Sequence, residues 1–365
     1  LKSSIAKAPE TMPNPKNLAP ESLTNFASQL LTSAGLPADK AATVARLLVL
    51  TDMMQRHTHG VALCPLYIDQ LQKNLMGTTG EPEVVRDTGS TIVWDGAYLP
   101  GLWLVDRALG TAFDRVAQHG VVTVAMRRSH HIACLAALVK QATDRGLVAI
   151  LATSDPGGRF VAPFGGRDPV LTPNPFAIGY PGTRAPVLVD ICASITTVSM
   201  ARTKAAAGVQ FEQPWLMDGA GQPTTDPQVL EHTTPRGSLL LLGGAEYGHK
   251  GFGLALMVEA LTQGLAGHGR LDAPNRWGAN VFLQVMDPAA FAGRDNFLSQ
   301  MDFIGDACRA SQPVQPGGMV RLPGDQASAN IRKAEQQGIS LSEATLGNLA
   351  ACAGRLGVAP LAQAC

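Results

Sequence analysis

No part of this 365-residue chain carries an apolar run long enough for a membrane span, which needs ~20 residues. Neither sign of charge is in excess: 29 basic residues face 29 acidic ones. Nucleic-acid binding rests on Lys and Arg neutralising phosphates, and an anionic membrane surface asks for the same excess, so both partners are excluded. The six cysteines, Cys64, Cys134, Cys192, Cys308, Cys352 and Cys365, include no C-x-x-C pair. That spacing suits neither a zinc site nor a disulfide framework, and reduced thiols in a cytoplasmic protein are expected. Also missing are the G-x-G-x-x-G loop of a Rossmann unit, the G-x-S-x-G elbow and H-E-x-x-H. The turn GGAEYGHKG has Gly spacing like a P-loop, but His249 stands where the lysine belongs and no hydroxyl follows Lys250.

What is present is ample material for a core, with 45% apolar residues, and a clear order of elements. The opening LKSSIAKAPETMPNPKNL has no apolar signal core and reads as a loose arm over 1–18. Leu23, Phe26, Leu30 and Leu31 recur at helical spacing and predict a helix over 20–35. A second helix follows Leu36-Pro37 and runs to about Arg56, and a third accepts Pro65 in its first turn. Short β-branched runs at 91–96, 120–128, 147–154, 186–194 and 237–245 predict strands. Helical segments lie between several of them, and further helices follow GGAEYGHKG and close the chain. Alternating strands and helices predict an α/β fold. A helix-rich substrate and dimer lobe is expected over 19–120 and 310–365, with a cofactor-binding α/β lobe over 121–309.

Histidine carries the chemical signal. Four of eight fall in two clusters, His57-Thr58-His59-Gly60 and Ser129-His130-His131. Imidazole suits a transition metal, and it equally suits proton transfer near neutrality. Carboxylates and thiols do not flank the clusters closely, which favours an acid/base over a metal site. Asp190 ends the apolar run PVLVD, where it serves either as a histidine partner or as a turn initiator. Lys250, in a Gly-rich turn that opens a helix, is a candidate anion contact.

In order along the chain, H-T-H-G-V-x-x-x-P-x-Y, RRSHHIACLAAL, VAPFGGRDPVLTPNPFAIGYP, GQPTTDP, YGHKGFGLALMVE and RLPGDQA resemble blocks of the type-2 malate/lactate dehydrogenases. The likeness spans roughly residues 20–360, and H-x-H-G with S-H-H resembles most the branch reducing cyclic ketimines such as piperideine- and pyrroline-2-carboxylate. It implies a mixed sheet, a non-Rossmann nicotinamide site and a homodimer acting on a small molecule, with NADPH expected over NADH. It also implies that His59, His131 and Asp190 are catalytic. Ser129, Ser194, Thr196, His249, Lys250, Gly324, Asp325 and Gln326 are the implied cofactor contacts. Arg56, His57, Thr58, Leu63 and Asn174 are the implied substrate contacts.

Three positions depart from the family pattern. Leu63 replaces an arginine able to grip a carboxylate, Pro173 replaces a threonine, and Ala193 replaces another. A small 2-oxo acid would find less to hold it. The leading expectation is therefore reduction of a C=N or C=O bond in a substrate unlike lactate, with histidine as proton donor. The alternatives are an ordinary 2-hydroxy-acid dehydrogenase, with Arg56 or Arg159 replacing the missing arginine, and a scaffold repurposed as a non-redox cyclase, isomerase or binding protein.

Overall fold

The computed structural model describes residues 17–231 and 233–361. Residues 1–16 of the expected arm lie outside them; Leu18, near its end, is buried and bridged to Ile339.

The N-terminal helices α1 (Pro20–Ser33), α2 (Ala38–Met53) and α3 (Cys64–Gln72) bury the apolar faces read from the sequence, and Pro65 sits in the first turn of α3. Then come β1 (Glu83–Asp87), β2 (Thr91–Asp95), α4 (Gly101–His119), β3 (Val121–Ser129), α5 (Leu135–Thr143), β4 (Val148–Ser154), β5 (Phe176–Tyr180) and β6 (Val187–Ile191). The next segment holds α6 (Val198–Ala206), the two-residue strands β7 (Leu216–Met217), β8 (Pro223–Thr224) and β9 (Ser238–Leu239), and helices α7 (Gly244–Tyr247) and α8 (His249–Glu259). The chain finishes with β10 (Ala279–Met286), α9 (Arg294–Ala310), α10 (Asp325–Gln337) and α11 (Glu343–Leu356).

Seven strands form one mixed sheet in the order β1-β2-β3-β10-β4-β5-β6. Only β2 and β3 pair in parallel, across α4; β10 enters antiparallel between β3 and β4. Burial on both faces explains its apolar sequence, ANVFLQVM. The short strands make a separate sheet, β8-β7-β9. The main core joins Leu23 and Leu48 of the N-terminal helices with Leu104 of α4 and Leu283 of β10, so the two expected lobes share the large sheet and this core, while residues such as Val161, Leu216 and Leu239 form a second cluster. Among the described residues no helix is long and apolar enough to cross a membrane.

One strand expectation needs correction. Of the run 237–245 only Ser238–Leu239 is a strand. Beyond it Leu241 makes an isolated bridge with Ser194, and Gly243, at φ +102°, turns the chain into α7. A pair of glycines there favours the turn over extension.

Candidate active site

Two glycines fix the histidine segments. A Cβ on Gly60 would overlap the Asp52 carboxylate, which accepts the Val61 N–H at 2.7 Å. Asp52 is buried in α2 and also binds His57 Nδ1 at 2.8 Å, so the H-x-H-G block is clamped to that helix. A Cβ on Gly101 would overlap the His130 carbonyl, so α4 begins directly against the second histidine segment.

These segments meet at a cavity of about 720 Å³ lined by His59, His131, Trp277, Asp190, Asn174 and three arginines, Arg56, Arg202 and Arg276. The rings of His59 and His131 lie 6.3 Å apart, and Trp277 packs 4.8 Å from His131. Tyr67, on α3, reaches His131 Nδ1 at 2.9 Å. Burial raises the Tyr67 hydroxyl well above its ordinary range, so it stays protonated. Where Tyr67 donates to Nδ1, one of the two tautomeric arrangements this contact allows, neutral His131 carries its proton on Nε2.

Burial holds His131 well below the ordinary histidine value, with the neighbouring His59 and His130 adding to the effect. His59 is also lowered, first by desolvation; the Asp190 carboxylate opposes that shift and the nearby Arg56 charge adds to it. The two rings therefore differ: His131 is neutral, and His59 has a nearby negative charge to support protonation. Asp190 itself accepts from the Ala136 N–H at 3.0 Å and the Cys134 thiol at 3.6 Å. It supports His59 by charge, with no direct hydrogen bond to a histidine among the described residues.

The remaining expected residues divide sharply. Arg56 reaches the cavity, and no hydrogen bond or ion pair engages its guanidinium among the described residues; Arg159 does not line it. His57 is engaged by Asp52, and Thr58 Oγ1 lies 3.0 Å from His59 Nδ1. Leu63 packs against the main core and not on the cavity wall. Asn174 is fully buried at φ +46°; Thr172 donates to its Oδ1, and its Nδ2 donates to Glu259 and the Ala255 carbonyl. It shapes the wall with both amide protons engaged, leaving one lone pair of Oδ1 without a partner among the described residues.

Most expected cofactor contacts lie elsewhere in the single chain. Ser129 and Ser194 donate to the carbonyls of His130 and Thr196. Lys250 rests over the Tyr247 ring, His249 packs on Phe164, and none of these residues lines the cavity. Gly324 caps α10, Asp325 is held by Arg309 at 2.8 Å, and Gln326 pairs with Asn330 at 2.8 Å. Thr197, beside the expected Thr196, lines the cavity and caps α6.

Sequence reading missed Tyr67, Gln70, Ser154, Asp155, Arg202, Arg276 and Trp277. Tyr67 stands in the quoted H-T-H-G block, but only the fold shows that it meets a residue 64 positions away. Asp155, beside Gly157 and Gly158, is pushed up to about 6 by burial. Among the described residues no three His, Cys, Asp or Glu side chains are grouped to hold a metal. Of the three departures from the family pattern, Pro173 alone lines the cavity; Ala193 is buried in a separate core.

The malate/L-lactate dehydrogenase family model matches residues 18–350. An L-lactate dehydrogenase of Cupriavidus necator is 31% identical over 93% of this chain and 97% of that enzyme. Two solved structures share the fold. Malate dehydrogenase from Entamoeba histolytica has a TM-score of 0.88 at 23% identity, covering 95% of this chain and 99% of that one. The delta1-piperideine-2-carboxylate reductase from Pseudomonas syringae pvar. tomato has a TM-score of 0.77 at 24% identity, covering 92% and 99%.

Proposed function

The chain belongs to the malate/L-lactate dehydrogenase family of oxidoreductases, and on that premise we propose that it interconverts a 2-hydroxy acid and its 2-oxo acid. One observation carries this reading: the free guanidinium of Arg56 lines the same cavity as His59 and His131. A carboxylate needs such a partner, and a planar guanidinium supplies a bidentate one. Of the expected losses of polarity only Pro173 touches the cavity, and two arginines join the expected Arg56 on its wall, which suits a small oxo acid better than the sequence pattern suggests. The L-lactate dehydrogenase relative supports the same choice.

The family's enzymes use nicotinamide cofactors, and the donor set suits one. Arg276 and the first turn of α6 put positive charge and N–H groups on the cavity wall, as a dinucleotide's phosphates require, while Arg202, also on that wall, is paired with Glu231. When bound, the reduced nicotinamide supplies a hydride to the carbonyl carbon. Arg56 orients the substrate by its carboxylate. His131 donates a hydrogen bond from Nε2 to the carbonyl oxygen, polarising it. His59, protonated with the help of Asp190, gives the oxygen its proton and takes it back in the reverse direction. Trp277 and Tyr67 keep water from His131 and hold its ring.

A cyclic imine is the second reading, and Asp190 favours it. Its carboxylate lines the cavity without an ion pair among the described residues, so it suits a cationic iminium. The choice between NADH and NADPH belongs to the same experiment. Purified protein is titrated with each cofactor and then assayed against oxo and imino acids by nicotinamide absorbance. Turnover of oxo acids, with Arg56→Ala raising KM strongly while kcat changes less, is expected. Faster turnover of imino acids would replace the first reading by the second, and a failure to bind either cofactor would remove both.

A homodimer and a cytoplasmic location complete the proposal. Leu256, Met257 and Leu265 are 40–54% exposed on and just after α8, apolar surface that a second copy would cover. The five described cysteines are unpaired. Size-exclusion chromatography with light scattering tests the dimer.

A further inference from the structure

Gln70 lies in the last turn of α3 and lines the same cavity. It is 9% exposed, and its Oε1 is out of contact with solvent and has no hydrogen-bond partner. Its backbone carbonyl accepts from the Leu75 and Met76 N–H groups at 2.9 and 3.2 Å, so the helix end that carries it is tied down. Leaving a buried amide oxygen unpaired costs stability that a methionine or leucine there would not cost. Tyr67, one turn earlier on α3, meets His131, and Leu66 also lines the cavity. The helix thus offers three side chains to one site: one holding the histidine, one apolar, and one amide without a partner.

We infer that Gln70 is a specificity-determining residue that hydrogen-bonds a polar, uncharged group on the arm of the substrate distal to its carboxylate. The inference rests on the reading that Arg56 takes that carboxylate and that the reacting carbon lies by the histidines. Lys73, the nearest cation on this helix, is paired with Asp69 at 2.9 Å and does not line the cavity, so the position reads a carboxamide or hydroxyl rather than a second carboxylate. A site built to hydrogen-bond a substrate group rejects an analogue lacking it far more strongly than an apolar pocket rejects an added polar group.

The test compares two 2-oxo acids of equal charge and nearly equal shape, α-ketosuccinamate with a carboxamide arm and α-ketoisocaproate with an isobutyl arm. Their kcat/KM values are measured with the wild type and with Gln70→Met, and their affinities are measured by calorimetry in the presence of reduced cofactor. The wild type should favour the carboxamide at least tenfold. Gln70→Met should lose or reverse that preference while raising Tm, the opposite of a residue kept for packing. A wild-type preference for the isobutyl acid would overturn the inference, and so would a ratio unchanged in Gln70→Met. If the protein binds the two acids with the expected discrimination but reduces neither, the dehydrogenase reading fails and the role of Gln70 stands. If it binds neither, the role of Gln70 fails as well.

Discussion

Residues 57–59 and 130–131 contain the same titratable side chain twice each, and the fold treats the four rings differently. His57 is 44% exposed at its side chain and paired with Asp52, which raises its pKa. His59, two residues on, turns into the cavity and is lowered. His130 is fully buried, with both ring nitrogens unpartnered, and desolvation pushes it down to about 3. His131 is part-buried and has Tyr67 on Nδ1. Residue type therefore says little about charge at neutral pH; desolvation and the nearest carboxylate decide it. Only His59 combines access to the cavity with a carboxylate near enough to stabilise its cation, which is why the proposal makes it the proton carrier.

The comparison breaks most directly at His59. Replacing it by alanine should lower kcat by about 10²–10⁴-fold, the usual contribution of a positioned acid or base. It should also remove an acid limb of the oxidation rate that lies below the ordinary histidine value. A loss under tenfold, or a limb that persists in the variant, would move the proton carrier elsewhere. His131→Phe keeps a ring beside Trp277 but removes the Nε2 donor. Loss of one such hydrogen bond, ~1.5–3 kcal/mol, corresponds to roughly a 10–100-fold fall in kcat. A larger loss than that of His59→Ala would exchange the two roles.

The glycine that separates the first pair from Val61 should matter through stability. Gly60→Ala sets a methyl group against the Asp52 carboxylate and should cost about 1–3 kcal/mol, read as a lowered Tm. An unchanged Tm would show that Asp52 can move away without loss.

The smallest effect is a pH dependence with opposite signs in one segment. The raised pKa of His57 adds stability that is complete below its unfolded value and is lost as pH rises through the higher folded value. The lowered values of His59, His130 and His131 act the other way: stability falls as pH drops below the unfolded histidine value, because the unfolded chain takes up more protons. The protein as a whole should therefore lose stability on acidification. His57→Asn should steepen that loss by ~0.5–1 kcal/mol, discounted for the solvent screening of an exposed partner. Thermal melts at a series of pH values measure it, and an identical slope in the variant would show that the Asp52 pair contributes nothing.

The order of strands and helices was legible because amphipathic periodicity is a local property: α1, α2, α4 and α11 stand where Leu and Val recur at helical spacing. The central strand escaped. ANVFLQVM lies 150 residues from its partner β3, and only that pairing makes it the middle of the sheet. Of the residues expected at the reaction, His59, His131, Arg56 and Asp190 line one cavity, and His57 and the deep His130 do not. The residues expected at the cofactor were marked by pattern, and the single chain holds Lys250 and Asp325 away from that cavity.

The sequence by itself determined the residue kinds available: paired histidines without metal-ligand spacing, balanced charge, apolar segments with helix and strand periods, and a glycine after H-T-H. Tertiary structure alone decided protonation and partnership. Desolvation, charge and hydrogen bonding depend on what other segments bring within a few ångströms, and those segments are far apart in the chain. Tyr67 meets His131 across 64 residues, and Asp190 supports His59 from the end of a strand more than a hundred residues away.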